Sequence, residues 1–269
     1  MIPKSRLFRV LLTIYGVVFV VFMAAPILVI VMASFENSDY AAFPPPGFST
    51  RWYESVLGSS TWLSAFQTSL LVASLAALVA AVLALLAALA LVRGRLPFKQ
   101  VIYAILLAPM IVPGIVTGIS MYFQFAGVVG VGSIPMIAAG HAVIALPIAS
   151  IILSATLQGV DVRIEHAAAS LGAGRFTILR RITLPLVMPG LITSVLFAFL
   201  SSFDEFFIAL FFRSPGVSTL PIQIWATLSY QVDPSIAVVS TLLITITVLT
   251  LGLIGAIRMF GSRTGSPIG

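Results

Sequence analysis

The sequence predicts an all-α membrane protein of six transmembrane helices with both termini in the cytoplasm, and three observations carry that expectation. The 269 residues are 60% hydrophobic and 8% charged, against roughly 25% charged in a soluble domain. So little polar surface cannot cover so much apolar volume in water. Long apolar runs, nearly free of charge, recur at about 8–35, 64–92, 101–127, 134–157, 187–212 and 236–260. Each exceeds the roughly 20 residues an α-helix needs to cross the hydrocarbon core. None shows the period-2 alternation of a membrane barrel. Third, the basic residues are one-sided. Lys4, Arg6, Arg9, Arg93, Arg95, Lys99, Arg163, Arg175, Arg180, Arg181, Arg258 and Arg263 fall on one side of the predicted spans, and only Arg51 and Arg213 on the other. The positive-inside rule makes the first side cytoplasmic. The net charge of +6 reflects this topology, so nucleic acid is not an expected partner.

The first run is too long for a cleaved signal, and Met23-Ala24-Ala25-Pro26 lies inside it, so it reads as a retained anchor. An external segment follows over 36–63, with Pro44-Pro45-Pro46-Gly47 and the amphipathic stretch Arg51–Leu57. Its prolines exclude helix locally, and Phe43, Phe48, Trp52 and Tyr53 suit a membrane interface. The third run holds Pro109, Pro113, Gly114 and Gly118, the fourth Pro135 and Pro147, which predicts kinked helices. His141 in the fourth run reads as a packed, hydrogen-bonded histidine. The fifth run ends in SFDEFFIALFF. Asp204 and Glu205 leave two readings open: carboxylates facing a water-filled pathway for a cation, or markers of the external helix end.

The stretch 161–190, between the fourth and fifth runs, differs from an ordinary connector. It carries Arg163, Arg175, Arg180 and Arg181, yet reads as ordered helix. An Ala-rich helix (Ile164 to Leu171) meets Gly172-Ala-Gly174, and a second helical run is expected to stop at Pro185. Such a hairpin on the charged side looks built for another protein to grip.

No phosphate loop, nucleophile elbow or HExxH is present, there is no cysteine, and His141 and His166 are not at metal-ligand spacing. No catalytic residue, metal or cofactor is therefore expected. Charge inside the spans is too sparse for an ion relay, which disfavours a self-powered carrier and implies an external energy source docking on the cytoplasmic side.

Ala167-Ala168, Gly172 and Ile182-Thr183-Leu184-Pro185 resemble the EAA loop of the permease subunits of type I ABC importers. His166 occupies the register of the family's Glu, and Glu165 stands one residue earlier. The resemblance implies that 158–186 is a coupling loop. It also implies two cytoplasmic ABC ATPase subunits, a second homologous permease and an extracytoplasmic solute-binding protein as partners, in a bacterial inner membrane. In the family the acidic residue pairs with the ATPase. Here Glu165 is the expected replacement, and direct contact by His166 the alternative. PPPGFSTRWYESV, SFDEFFIALFF and Thr219–Ile244 are similar to the spermidine/putrescine second-permease subgroup. That likeness implies a small cationic solute, which Asp204, Glu205, Trp225 and Tyr230 could receive. Trp225 and Tyr230 read equally as interfacial belt residues. The rivals are a permease for iron(III), thiamine, an opine or an amino acid, an ion-coupled carrier, and a membrane scaffold without transport.

Overall fold

The computed structural model describes residues 6–39, 44–230 and 233–261, with the backbone alone from residue 250 onward. Lys4, Phe43 and Arg263 of the charge and aromatic readings lie outside them. The described residues are helical throughout apart from turns and two isolated bridges, Glu36–Phe48 and Ser214–Val217. The helices are α1 (Arg6–Ala33), α2 (Arg51–Gly58), α3 (Ser60–Ala88), α4 (Lys99–Leu107), α5 (Gly114–Val129), α6 (Ile134–Gly159), α7 (Val162–Ser170), α8 (Arg175–Ile178), α9 (Leu184–Phe203), α10 (Phe207–Phe212), α11 (Leu220–Tyr230) and α12 (Ser235–Gly261). They form two compact units, Met1–Ser60 with Ile224–Gly269, and Thr61–Gln223.

In the first unit α12 packs on α1 and α2. The apolar window of α1, Phe8–Ala33, is not buried by the chain at all, as suits a helix solvated by lipid. The segment after α1 is pinned by polar contacts. Tyr53 Oη and Ser34 Oγ lie 2.7 Å apart, Trp52 Nε1 donates to the Ser38 carbonyl at 3.2 Å, and Arg51 pairs with Asp39 at 2.5 Å. The prolines keep their stretch out of helix, and α2 begins just past them at Arg51.

The second unit inverts the packing rule of a water-soluble bundle. On α3 the buried side is lined by small residues, Ala65, Ala73, Ala76, Ala80, Ala84 and Ala88, while Leu71, Leu78, Val82 and Leu86 face outward. Lipid solvates leucine as well as a protein core does, so close backbone approach becomes the main source of attraction. α6 and α9 pack together, and at Gly190 any Cβ would overlap the Thr156 side chain of α6.

Two spans are broken and one helix runs through its expected stop, each for a local reason. Lys99–Met110 and Gly114–Val128 meet at 97°, with Pro113 immediately before α5; the expected kink in run 101–127 is thus a corner. Proline supplies no donor and Pro113 bars its predecessor from α geometry. The fifth run is helical only to Phe203, resuming at Phe207 as α10. Pro185 does not stop its helix: Arg175 to Phe203 runs on continuously through a π turn, Leu179–Thr183. There the Leu184 N–H reaches back five residues to the Leu179 carbonyl. The wider turn absorbs the donor that Pro185 lacks. A matching π turn, Leu89–Arg93, ends α3.

Among the described residues four helices are long and apolar enough to cross a membrane, and the bent pair makes a fifth candidate; α12 is apolar over Ser235–Leu249. The fold is that of an all-α membrane protein, as the composition predicts.

Candidate functional site: a hairpin clamped across two π turns

The hairpin is built by local rules. Asp161 caps α7, its Oδ1 accepting from the Arg163 N–H at 2.9 Å. At the other end the Ala173 N–H donates to the Ala168 carbonyl at 3.0 Å and the Gly172 N–H to Ala169 at 2.9 Å, the paired bonds of a Schellman cap. Gly172 sits at φ +88°, a conformation costly for any residue with a Cβ. Gly174 has an ordinary φ of −68° and caps α8, so only the first glycine of the pair is required by the turn.

Glu165 projects from α7 back into the chain, its side chain 14% exposed. Arg93 Nε donates to both of its carboxylate oxygens at 3.2 Å, and Thr183 Oγ1 to Oε1 at 3.1 Å. Arg93 also donates through Nη2 to the Val160 carbonyl at 2.8 Å, just before α7. Arg93 and Thr183 are the last residues of the two π turns. One carboxylate therefore ties the hairpin to the ends of two membrane helices. Sequence reading counted Arg93 only as a topological charge; no local signal marks it as the partner of a residue 72 positions away.

The outer side of the hairpin is apolar and uncovered: Ile164 is 47% exposed, Leu171 90% and Phe176 73%. His166 and Ala167 are exposed and Ala168 half-buried. Ile182 and Leu184 are half-buried where the helix turns inward, Leu184 against the Ala84–Leu153–Val187 cluster, and Pro185 is exposed. Between the hairpin and the end of α3 lies a groove of about 990 Å³, lined in part by Arg93, Arg95, Glu165, His166 and Arg175.

The expected acidic pair is divided by the break between α9 and α10. Asp204 ends α9 and is exposed. Glu205 is 8% exposed and accepts the backbone N–H groups of Phe207 (3.0 Å), Ile208 (2.9 Å) and Ala209 (3.4 Å), capping α10. His141 stands beside it: Nδ1 lies 2.8 Å from Ser202 Oγ, and Nε2 is 3.2 Å from Glu205 Oε2 without the alignment of a hydrogen bond. His141 is thus a packed, hydrogen-bonded side chain, as its place in an apolar run suggests. Two of the three α5 glycines serve α10: a Cβ on Gly114 would come within 2.9 Å of the Phe207 ring, and one on Gly118 within 2.8 Å of Phe211. Trp225 is 44% exposed and Tyr230 92%; both lie on α11 beyond its exit from the second unit. No metal-binding cluster occurs among the described residues.

The chain is similar to known transport subunits. Residues 80–264 match the family described as binding-protein-dependent transport system inner membrane component. The chain is 32% identical over 230 residues to the putrescine transport system permease protein PotI of Escherichia coli, covering 83% of this chain and 82% of that one. It is 32% identical over 234 residues to the spermidine/putrescine transport system permease protein PotC of Haemophilus influenzae, covering 87% and 89%. A bacterial ABC transporter that imports alginate has a chain superposing with a TM-score of 0.69 at 17% identity, over 97% of this chain and 99% of that one. With the family match spanning most of the sequence and these relatives aligned nearly end to end, the chain belongs to the binding-protein-dependent transport system inner membrane components, as a type I ABC importer permease and not an enzyme.

Proposed function

We infer that this permease forms half of a translocation pathway for a small cationic solute of the putrescine or spermidine class, driven by ATPases that grip its 158–186 loop. The observation that carries the coupling role is the hairpin itself. Its outer side exposes Ile164, Leu171 and Phe176, while its inner side is bolted by Glu165 to the ends of α3 and α9. A push on the exposed side passes to both helices, because helices resist bending and the clamp ties them to the same lever. ATP binding that favours closed ATPases then favours one orientation of the permease. Ala167, Ala168 and Gly172 shape the lever's tip, and Ile182, Leu184 and Pro185 carry it into α9.

The named relatives support the solute class, and Asp204 is the acidic residue left free to meet it. Tyr230 and Trp225 are the aromatic candidates for alkylammonium contact. Six spans, with both termini cytoplasmic, complete the reading. Its partners are two ABC ATPase subunits, a second and different permease, an extracytoplasmic solute-binding protein and membrane lipid.

The test is reconstitution. Proteoliposomes holding the complete complex should take up labelled putrescine or spermidine only with ATP and the binding protein present. Uptake that follows a proton gradient without ATP overturns the proposal.

A further inference from the structure

The groove beside the hairpin is basic in a way the clamp does not explain. Its one carboxylate, Glu165, is occupied by Arg93 and Thr183, and Arg93 is in turn occupied by Glu165 and the Val160 carbonyl. These two charges cancel. What remains is Arg95 from the turn after α3, His166 from α7 and Arg175 from the start of α8. All three are exposed, and none makes an ion pair among the described residues. Asp161, the other acid of the hairpin, is turned toward Arg163. Three separate elements thus deliver two guanidinium groups and an imidazole into one space of about 990 Å³, with no acid of their own to answer them.

We propose that this groove receives one or more carboxylate side chains of the docking ATPase, so that the permease supplies the cations and the partner the anions at this contact. The inference rests on the coupling reading given above. Charge complementarity argues for it: a guanidinium presents a planar fork that a carboxylate fills with two parallel hydrogen bonds. Continuity argues for it too, since the neighbouring Leu171 and Phe176 are exposed apolar side chains on the same hairpin. An apolar anchor flanked by arginine is the usual composition of an interface centre. The polarity is the reverse of the acid-on-permease pairing that the EAA resemblance implies, and His166, standing in the acid's register, belongs to the reversed set.

The sequence makes a direct chemical test possible, because Lys4 and Lys99 are its only lysines. In the complete complex, Arg175→Lys and Arg95→Lys each place an amine in the groove while keeping the charge. A zero-length carbodiimide then joins that amine to any carboxylate it touches. The expected result is a permease–ATPase adduct present in the variants and absent from the parent, its acidic partner read by mass spectrometry. The double variant Arg95→Glu, Arg175→Glu should weaken ATPase retention about tenfold or more, as for a buried interfacial charge pair made repulsive. Leu171→Asp serves as the control for docking. If it releases the ATPases while the lysine variants give no adduct and the glutamate variant keeps them bound, docking stands and the polarity is wrong. If Leu171→Asp also keeps them bound, the coupling reading itself falls. Loss of co-purified anionic phospholipid in the glutamate variant, with ATPases retained, assigns the groove to lipid and overturns the proposal.

Discussion

Arg93 closes on Glu165 across 72 residues of sequence, its Nε within 3.2 Å of both carboxylate oxygens. Each is the other's best partner, and both are largely buried at 20% and 14% side-chain exposure. On the proposed coupling role, this pair is what would make the hairpin a rigid lever.

Removing either charge should therefore loosen the lever without dissolving the fold. Glu165→Gln and Arg93→Gln are expected to leave the complex assembled while uptake per ATP falls several-fold. A double-mutant cycle on thermal stability should return a coupling of about 1–2 kcal/mol. Additive single effects would mean that the two side chains do not share a function.

The two hairpin glycines are predicted to behave differently. Gly172→Val forces a β-branched residue to φ +88°, at a cost of about 1–3 kcal/mol, and should uncouple ATP hydrolysis from uptake in an assembled complex. Gly174→Ala has open space around its Cβ and an ordinary φ, so its transport should match the parent. Equal transport by all three forms would show that the Schellman turn is dispensable.

Gly190 lies against Thr156 with no room for a Cβ. Gly190→Ala would drive its methyl into Thr156, destabilising the permease by about 1–3 kcal/mol as overpacking does. Adding Thr156→Gly, which also removes the Cβ 2.6 Å away, should restore part of the loss. Melting temperatures in detergent check this, and failure of the second substitution to rescue would place the strain elsewhere.

Asp204 and Glu205 should separate by assay. Asp204→Asn is expected to raise the uptake KM for a dicationic solute with little effect on yield or melting. Glu205→Gln weakens the cap on the Phe207, Ile208 and Ala209 amides and leaves His141 facing an amide, so it should lower stability first. If Asp204→Asn leaves KM and maximal rate unchanged, Asp204 is only a helix terminus.

The membrane character and the all-helical class were legible because they rest on composition and local pattern. Gly172 could be read because a Schellman cap is local chemistry. Pro185 misled because a π turn five residues long lets the helix pass it, and nothing in the residue string distinguishes a wide turn from a stop. Asp204 and Glu205 are adjacent letters with opposite fates. The sequence pattern marks both as costly, but only the geometry of α10 shows which one caps it. Glu165 stood out for its register, yet its partner Arg93 was hidden by distance along the chain.

The corner at Pro113 has a consequence for how the chain can exist in a bilayer. Turning through 97° interrupts the ladder of backbone bonds and leaves Ile111 84% uncovered. Hydrocarbon accepts a bare isoleucine but not bare peptide groups, each of which costs several kcal/mol there. Wherever that elbow sits at membrane depth it must border water or another subunit. A lone copy dissolved in lipid would thus be an unfinished object, completed only when something polar closes over the bend.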